Sequence, residues 1–345
     1  MDRVAEFLES EFPNAEERAL LLGIASAPTD RTAKLVYADW LEDRSDARSE
    51  YVRLLVQRGQ KKLTARMTEL QAVCSGPWLS MLGELHRWFN VIKSEVEQRE
   101  EEIRRGWRPV ALATCDHGMW DFHYTGNLWL DWDPGGLRPV LDFLCDPKVA
   151  PVLRRMSFSA YEDHPATNGT LAVSLWPLVT GGILFPYLES LQIEQSQNTI
   201  LSDRVGAYEE GGQAAGLLAA CPRLLSLAAP SAPNADFLVG GTHPLEQLDV
   251  HAGYNTQRFI PNLAASKRFP QLRRLVYKDF CCEYMSPEPQ MFTPLNEWKA
   301  FFRSPTCAAI AEIKLDGVVL SQSQVRELLD IRSSGVTITR SPLAP

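Results

Sequence analysis

The feature that most constrains the fold is one block that recurs six times in the second part of the chain. Its template is a leucine or equivalent, two variable residues, an apolar residue, one variable residue and another apolar residue. It reads LRRMSF from 153, LESLQI from 188, LLSLAA from 224, LEQLDV from 245, LRRLVY from 272 and IAEIKL from 310. A proline stands two residues before the first position in four copies (Pro151, Pro186, Pro222, Pro270), and Pro244 stands one before. Three copies are nearly the same phrase: FPYLESLQI, CPRLLSLAA and FPQLRRLVY. Side chains alternate along a strand, so each block predicts a short strand with its fourth and sixth positions turned inward. One such unit cannot bury its apolar side alone, so the units must stack into a solenoid. Stretches such as LRPVLDFLCD, AAGLLAA and LNEWKAFFRS supply the helix or turn that closes each coil. SQVRELLDIRSSGVTITRSP reads as a closing helix and strand.

The chain ahead of this array has a different period. Residues 1 to about 105 carry helical spacing, and the two periods divide the chain into a helical domain, 1–105, and a repeat domain, 106–345. Val4, Phe7 and Leu8 share a face of a first helix that stops before Pro13. Asn14 with Glu17 reads as a capping pair ahead of RALLLGIA. Asp30 can cap a helix whose apolar face holds Leu35, Val36, Trp40 and Leu41. Asp46 can cap another, with Tyr51, Val52, Leu54 and Leu55 inward. A helix restarting at Pro77 is expected to run on through KSEVEQREEEIRR to Gly106.

Within this part, LVYADWLEDRSDARSEYVRL closely resembles the repeat-companion domain of bacterial leucine-rich-repeat proteins. That family's pattern is an RLVYADWLEE helix, a Gly-Asp-Pro-Arg-Gly turn and then EFIRLQ. The match covers roughly 15–105, including WLSMLGEL. The six blocks that follow resemble degenerate leucine-rich repeats, the usual neighbour of that domain. Start-to-start spacings of 35, 36, 21, 27 and 38 residues compare with roughly 20–29 in a regular array, so the longer units carry insertions. The chain departs from the pattern at the turn, where Ser45, Ala47 and Ser49 replace Gly, Pro and Gly. That departure implies a looser turn and an earlier helix start. The resemblance implies an architecture: an α+β chain, a helical domain joined to an irregular leucine-rich-repeat solenoid with a curved parallel sheet. It carries no catalytic residues to map.

Bulk composition narrows the function classes. The 345 residues are 45% apolar with a net charge of −8, enough for two cores. Residues 1–110 hold 17 basic and 19 acidic side chains, leaving 18 and 24 for the rest. Neither part is a basic footprint, so nucleic acid is not the expected partner. No window approaches the roughly 20 apolar residues of a membrane span, and MDRVAEFLES is unlike a secretory signal. Seven scattered cysteines point to a reducing cytoplasm.

Five features stand out. Asp39, Asp43, Asp46 and Glu50 are interleaved with Arg44, Arg48 and Arg53, which suits caps and ion pairs between helices better than a cation loop. Asp39, beside the apolar face, is expected to pair with Arg53 or to accept backbone hydrogen bonds. Cys115, Asp116, His117 and His123 lack the second close pair of a zinc site. Cys221 and Cys307 stand where Phe185 and Phe269 stand in their own repeats, which marks them as small core residues. The aromatic run 120–132 is either a cap over the first repeat or a binding surface, and the insertion 280–292 is a lid or a recognition loop. No cofactor, metal or catalytic set is expected.

The strand face remains. The third, fifth and seventh template positions point out together: Arg155, Ser157 and Ser159; Ser190, Gln192 and Glu194; Ser226, Ala228 and Pro230; Gln247, Asp249 and His251; Arg274, Val276 and Lys278; Glu312, Lys314 and Asp316. The reading that follows is a non-catalytic scaffold that binds a protein partner. The residues expected to touch that partner are Arg155, Ser157, Gln192, Glu194, Gln247, Asp249, His251, Arg274, Lys278 and Lys314. Two alternatives stay open: an enzyme or nucleotide-dependent regulator with a site between the two domains, and a structural subunit of a larger assembly.

Overall fold

The computed structural model describes residues 3–58, 63–98, 109–126, 137–160, 176–194, 211–229, 231–252, 255–279, 291–341 and 344. Helices come first: α1 (Arg3–Glu11), α2 (Ala15–Ser26), α3 (Arg31–Glu42), α4 (Arg48–Arg58), α5 (Ala65–Val73), α6 (Gly76–Met81) and α7 (Leu85–Glu97). A nine-stranded sheet follows, its strands in strict chain order. They are β1 (Val110–Asp116), β2 (Met119–Gly126), β3 (Leu153–Ala160), β4 (Ser190–Glu194), β5 (Ser226–Ala229), β6 (Gln247–His251), β7 (Arg274–Lys278), β8 (Glu312–Val318) and β9 (Val336–Arg340). The β1–β2 pair is antiparallel, and every later neighbour is parallel. Helices α8 (Leu137–Leu144), α9 (Trp176–Thr180), α10 (Gln213–Ala220), α11 (Phe259–Ala265), α12 (Leu295–Phe302), α13 (Pro305–Ala309) and α14 (Gln322–Ile331) lie between the strands. The result is a mixed α/β chain. No helix among the described residues is long and apolar enough to cross a membrane.

The repeated block works as a unit of hydrogen bonding. Its second residues form a ladder: the N–H of Glu189 donates to Arg154 O, Leu225 to Glu189, Glu246 to Leu225, Arg273 to Glu246 and Ala311 to Arg273, each at 2.8 Å. From β5 to β8 the next N–H donates to the same carbonyl, as Gln247 does to Leu225 O at 2.9 Å. The prolines sit at the second position of a four-residue turn, where a fixed φ near −65° is already correct. That turn closes by Leu188 N→Phe185 O, Leu224 N→Cys221 O and Leu272 N→Phe269 O at 3.1–3.2 Å. Cys221 and Cys307 are fully buried at the head of these turns, as Phe185 and Phe269 are buried in theirs. The first, fourth and sixth template residues are buried in all six blocks, from Leu153, Met156 and Phe158 to Ile310, Ile313 and Leu315.

The helical block and the sheet share one apolar core that runs from Phe7 to Leu328. At their junction the Trp120 ring stacks on Phe89 at 4.1 Å. The Trp120 indole N–H donates to Ser80 Oγ at 2.7 Å, and that hydroxyl donates to Gly118 O at 2.7 Å. Phe7 meets Tyr187 edge-on at 5.0 Å. Arg3 and Glu6 of α1 pair with Glu189 and Arg223. The expected boundary at 105/106 lies outside the described residues; the apolar cluster holds residues from both sides of it, from Val96 and earlier and from Ala111 onward.

Three expectations for the helices need correction. The buried stripe of α3 is Tyr37, Ala38 and Leu41, with Leu35 and Val36 exposed. The Tyr37 hydroxyl can go inside because it donates to Glu17 (2.7 Å) and accepts from the Trp78 indole N–H (2.8 Å). The helix from Pro77 does not run through: it stops at Met81 and restarts at Leu85. Gly83, at φ +78°, ends it in a Schellman motif, with Gly83 N→Ser80 O and Glu84 N→Leu79 O. The turn after α3 is tight, not loose. Ser45 N→Glu42 O and Asp46 N→Leu41 O form the same motif, and α4 begins only at Arg48. Ser45 takes φ +54° there, in the left-handed region that favours glycine.

Candidate functional site

The acids of the helical block do not converge. Asp39 pairs with Arg53 at 2.6 Å, Asp46 with Arg48 at 2.7 Å and Glu50 with Arg66 at 2.6 Å, each toward a different neighbour. Hydrogen bonds from Arg48 hold the Asp46 carboxyl below its ordinary range. Asp39 is not at the buried face: its side chain is 65% exposed. The buried acids of this block are Glu17, read from the sequence only as part of a cap, and Glu84, which sequence reasoning passed over. Glu17 takes Tyr37 and Arg48. Glu84 takes Arg58, with the two side chains only 5% and 3% exposed, and the Tyr51 hydroxyl at 3.1 Å. These hold helices together.

Among the described residues, no group of three or more potential ligands is placed to hold a metal. Cys115 faces inward beside the core, and burial pushes its thiol up to about 11. His117 pairs with Asp116 at the exposed β1–β2 turn, and His123 lies on the opposite sheet face from Cys115. Trp120, Phe122 and Tyr124 are buried in β2, under the open end of the parallel strands. Trp129, Trp132, Cys281, Cys282 and 280–290 lie outside the described residues.

The outward face is where polar groups align. The register sets Arg155, Ser190, Ser226, Gln247, Arg274 and Glu312 in one row, and Ser157, Gln192, Ala228, Asp249, Val276 and Lys314 in the next. Arg155, Gln247 and Lys314 are exposed, while Ser157, Gln192, Asp249, His251, Arg274 and Lys278 are half-buried. The Glu194 side chain and Pro230 lie outside the described residues. Val276, expected outward, is in the row but buried between its neighbours.

Two regions of the face differ. Toward β8 the charges close on each other: Arg274 pairs with Glu312 at 3.2 Å across strands, and Lys314 with Asp316 at 2.9 Å. His251 is 18% exposed and 3.8 Å from Asp249. Burial, with the ammonium groups of Lys278 and Lys314, pushes its imidazole down to about 3. Burial raises the Asp249 carboxyl against the pull of Arg274 and Lys314.

Toward β1 the face opens into a groove of about 380 Å³, lined by Leu112, Thr114, Asp121, His123, Arg155, Ser157, Ser190 and Gln192. Asp121 is its fixed point. Burial works to raise this carboxyl, but hydrogen bonds from Arg154 and Arg155 outweigh it and hold it low. His123 Nδ1 is 2.5 Å from Ser157 Oγ, and Nε2 is 2.9 Å from Thr125 Oγ1. A serine touching a histidine suggests a nucleophile and its base. Here, however, the second ring nitrogen meets a hydroxyl where a triad needs a carboxylate. The strand is also paired on both sides, so its amides are committed to the sheet ladder. The ring braces the face.

Sequence reasoning included Arg155, Ser157, Ser190 and Gln192 in this face but missed the β1 and β2 wall. The signal was present: WDFHYT alternates inward aromatics with outward Asp121, His123 and Thr125, as a half-buried strand does.

No protein-family profile matches the chain, and no curated protein matches it. A solved crystal structure of a Bacteroides fragilis protein, a structural-genomics target, matches over 59% of this chain and 70% of that one, at 15% identity and a TM-score of 0.26.

Proposed function

We propose that the chain is a non-catalytic protein-binding scaffold: a helical domain of the repeat-companion type leading into an irregular leucine-rich-repeat solenoid, with the strand face as its contact surface. The observation that carries this reading is the alignment of outward polar residues in continuous rows across β2–β8, above blocks whose inward residues are all core. Pre-paired charges such as Arg274–Glu312 give a surface that is polar yet fixed in geometry, which favours specificity over bulk affinity. The acidic balance of the chain favours a protein partner over nucleic acid, and the scaffold is proposed to act in the cytoplasm.

The test is a pull-down from host lysate with quantitative mass spectrometry, comparing wild type with face variants. Charge changes at Gln247, Asp249, Arg274 and Lys278 are expected to remove the retained partner while each variant still unfolds in one cooperative transition; the exposed Gln247 change should cost about 0.5 kcal/mol or less, and the half-buried three more. A partner kept by those variants and lost on changes in 120–132 or 280–292 would move the contact surface off the strand face.

A further inference from the structure

Resting on that reading of the strand face, we infer that the groove over β1–β4 takes an acidic side chain from an extended segment of the protein partner, with Arg155 as its anchor. The two arginines at this end of the face are not equivalent. Arg154 is 17% exposed and grips Asp121 with two contacts, Nε–Oδ1 at 3.0 Å and Nη2–Oδ2 at 2.8 Å. Its third nitrogen reaches Asp116 at 3.4 Å. Arg155 is 58% exposed and meets Asp121 through Nη2 alone, at 2.6 Å. A guanidinium carries five N–H donors in a rigid fork matched to a carboxylate. Arg154 therefore has a carboxylate contact at each of its three nitrogens, while Arg155 is held in position by one oxygen, with its Nε and Nη1 making no contact among the described residues.

What lies around Arg155 supports an incoming chain. Its partners in the row are Asp121 on one side and Ser190 on the other. Ser190 is small and uncharged, whereas the basic residue at the same position of β7 faces Glu312. Thr114, Ser157 and Gln192 supply short hydrogen-bonding groups to the groove, and exposed Leu112 gives it an apolar edge. Leu112 is two strands and two residues from Arg155 in the register. That is about 12 Å with strands ~4.8 Å apart and residues ~3.3 Å apart. An extended segment covers it in about four residues, so the motif is an acid with an apolar residue about four positions away.

The probe is a displayed library of random peptides of about twelve residues, selected on the immobilised full chain. Enriched peptides are expected to share that spacing. A labelled peptide from the selection, followed by fluorescence anisotropy, is expected to lose roughly tenfold or more in affinity on Arg155→Ala, the loss expected for a charge-assisted pair. Arg155→Lys keeps the charge without the fork and should recover only part of it. On Arg155→Glu, the same peptide with its acid replaced by lysine is expected to bind better than the original. Melting curves of each variant confirm the fold. Peptides that bind wild type and Arg155→Glu alike, but are lost on Arg274→Glu with Lys314→Glu, overturn the anchor and leave the strand-face reading standing. Peptides indifferent to both sets of changes, or no enrichment over bare support, overturn both.

Discussion

Trp120 tests whether the helices and the sheet are one cooperative body. It is 1% exposed, stacks on Phe89 at 4.1 Å and is bonded through Ser80 to the backbone of Gly118. Trp120→Ala removes a fully buried indole, which costs about 3–5 kcal/mol. It also strips the donor from the Ser80 hydroxyl, adding about 1 kcal/mol. Trp120→Phe keeps most of the stack and loses the hydrogen bond, so about 1–2 kcal/mol is expected. The assay is urea unfolding followed by two probes: far-ultraviolet circular dichroism, and the ellipticity of the buried aromatic residues. One coincident transition is expected for wild type and both variants, with the midpoint falling and the slope unchanged. Two separated transitions, with Trp120→Ala shifting one alone, would refute a shared core and show two independently unfolding domains.

Ser45→Gly is expected to stabilise the chain by about 0.5–1 kcal/mol, because relief of a left-handed serine outweighs the added freedom of the unfolded chain; a lower urea midpoint would count against this. Asp39→Ala should cost under about 1 kcal/mol, as exposed pairs do. Glu84→Ala should cost about 3–5 kcal/mol by stranding the buried Arg58, and equal midpoints for the two variants would refute the ranking. His251 binds its proton less readily in the folded chain, near pH 3, than when unfolded, near the ordinary 6.5. The unfolded state therefore takes up the proton first, and stability present above about 6.5 is lost as pH falls toward 3, by up to about 1.4 kcal/mol per pH unit. His251→Gln should flatten the wild-type slope between about pH 7 and 5, and parallel curves would exclude the residue.

How legible the fold was depended on range. The six blocks, their turn prolines and the inward residues were readable because each is fixed within about ten residues of chain. Caps at Asn14 and Asp30 were readable for the same reason. The stripe of α3 was not, since the helix is apolar on two sides. What selected Tyr37 over Val36 is a hydroxyl partner 20 residues away, Glu17. Glu84 looked like an ordinary surface acid because its partner, Arg58, is 26 residues away. At Ser45 the lost glycine suggested a relaxed turn, yet the packing of α3 on α4 keeps the glycine geometry with a serine in it. On the face, the rows could be read from alternation. The single-contact state of Arg155 could not, because it depends on how two adjacent arginines divide the Asp121 carboxylate between them.

The ladder through the second template residues has a consequence for how such a chain can change. Successive blocks start between 21 and 38 residues apart, yet Arg154, Glu189, Leu225, Glu246, Arg273 and Ala311 are joined at the same 2.8 Å step throughout. Spacing along the chain and spacing across the surface are uncoupled. Material can enter or leave the connections, where loop closure costs only about 0.6 kcal/mol per doubling of length, and the outward rows keep their pitch. Each strand then behaves as an interchangeable tile, so a contact surface can be lengthened, shortened or rewritten one row at a time.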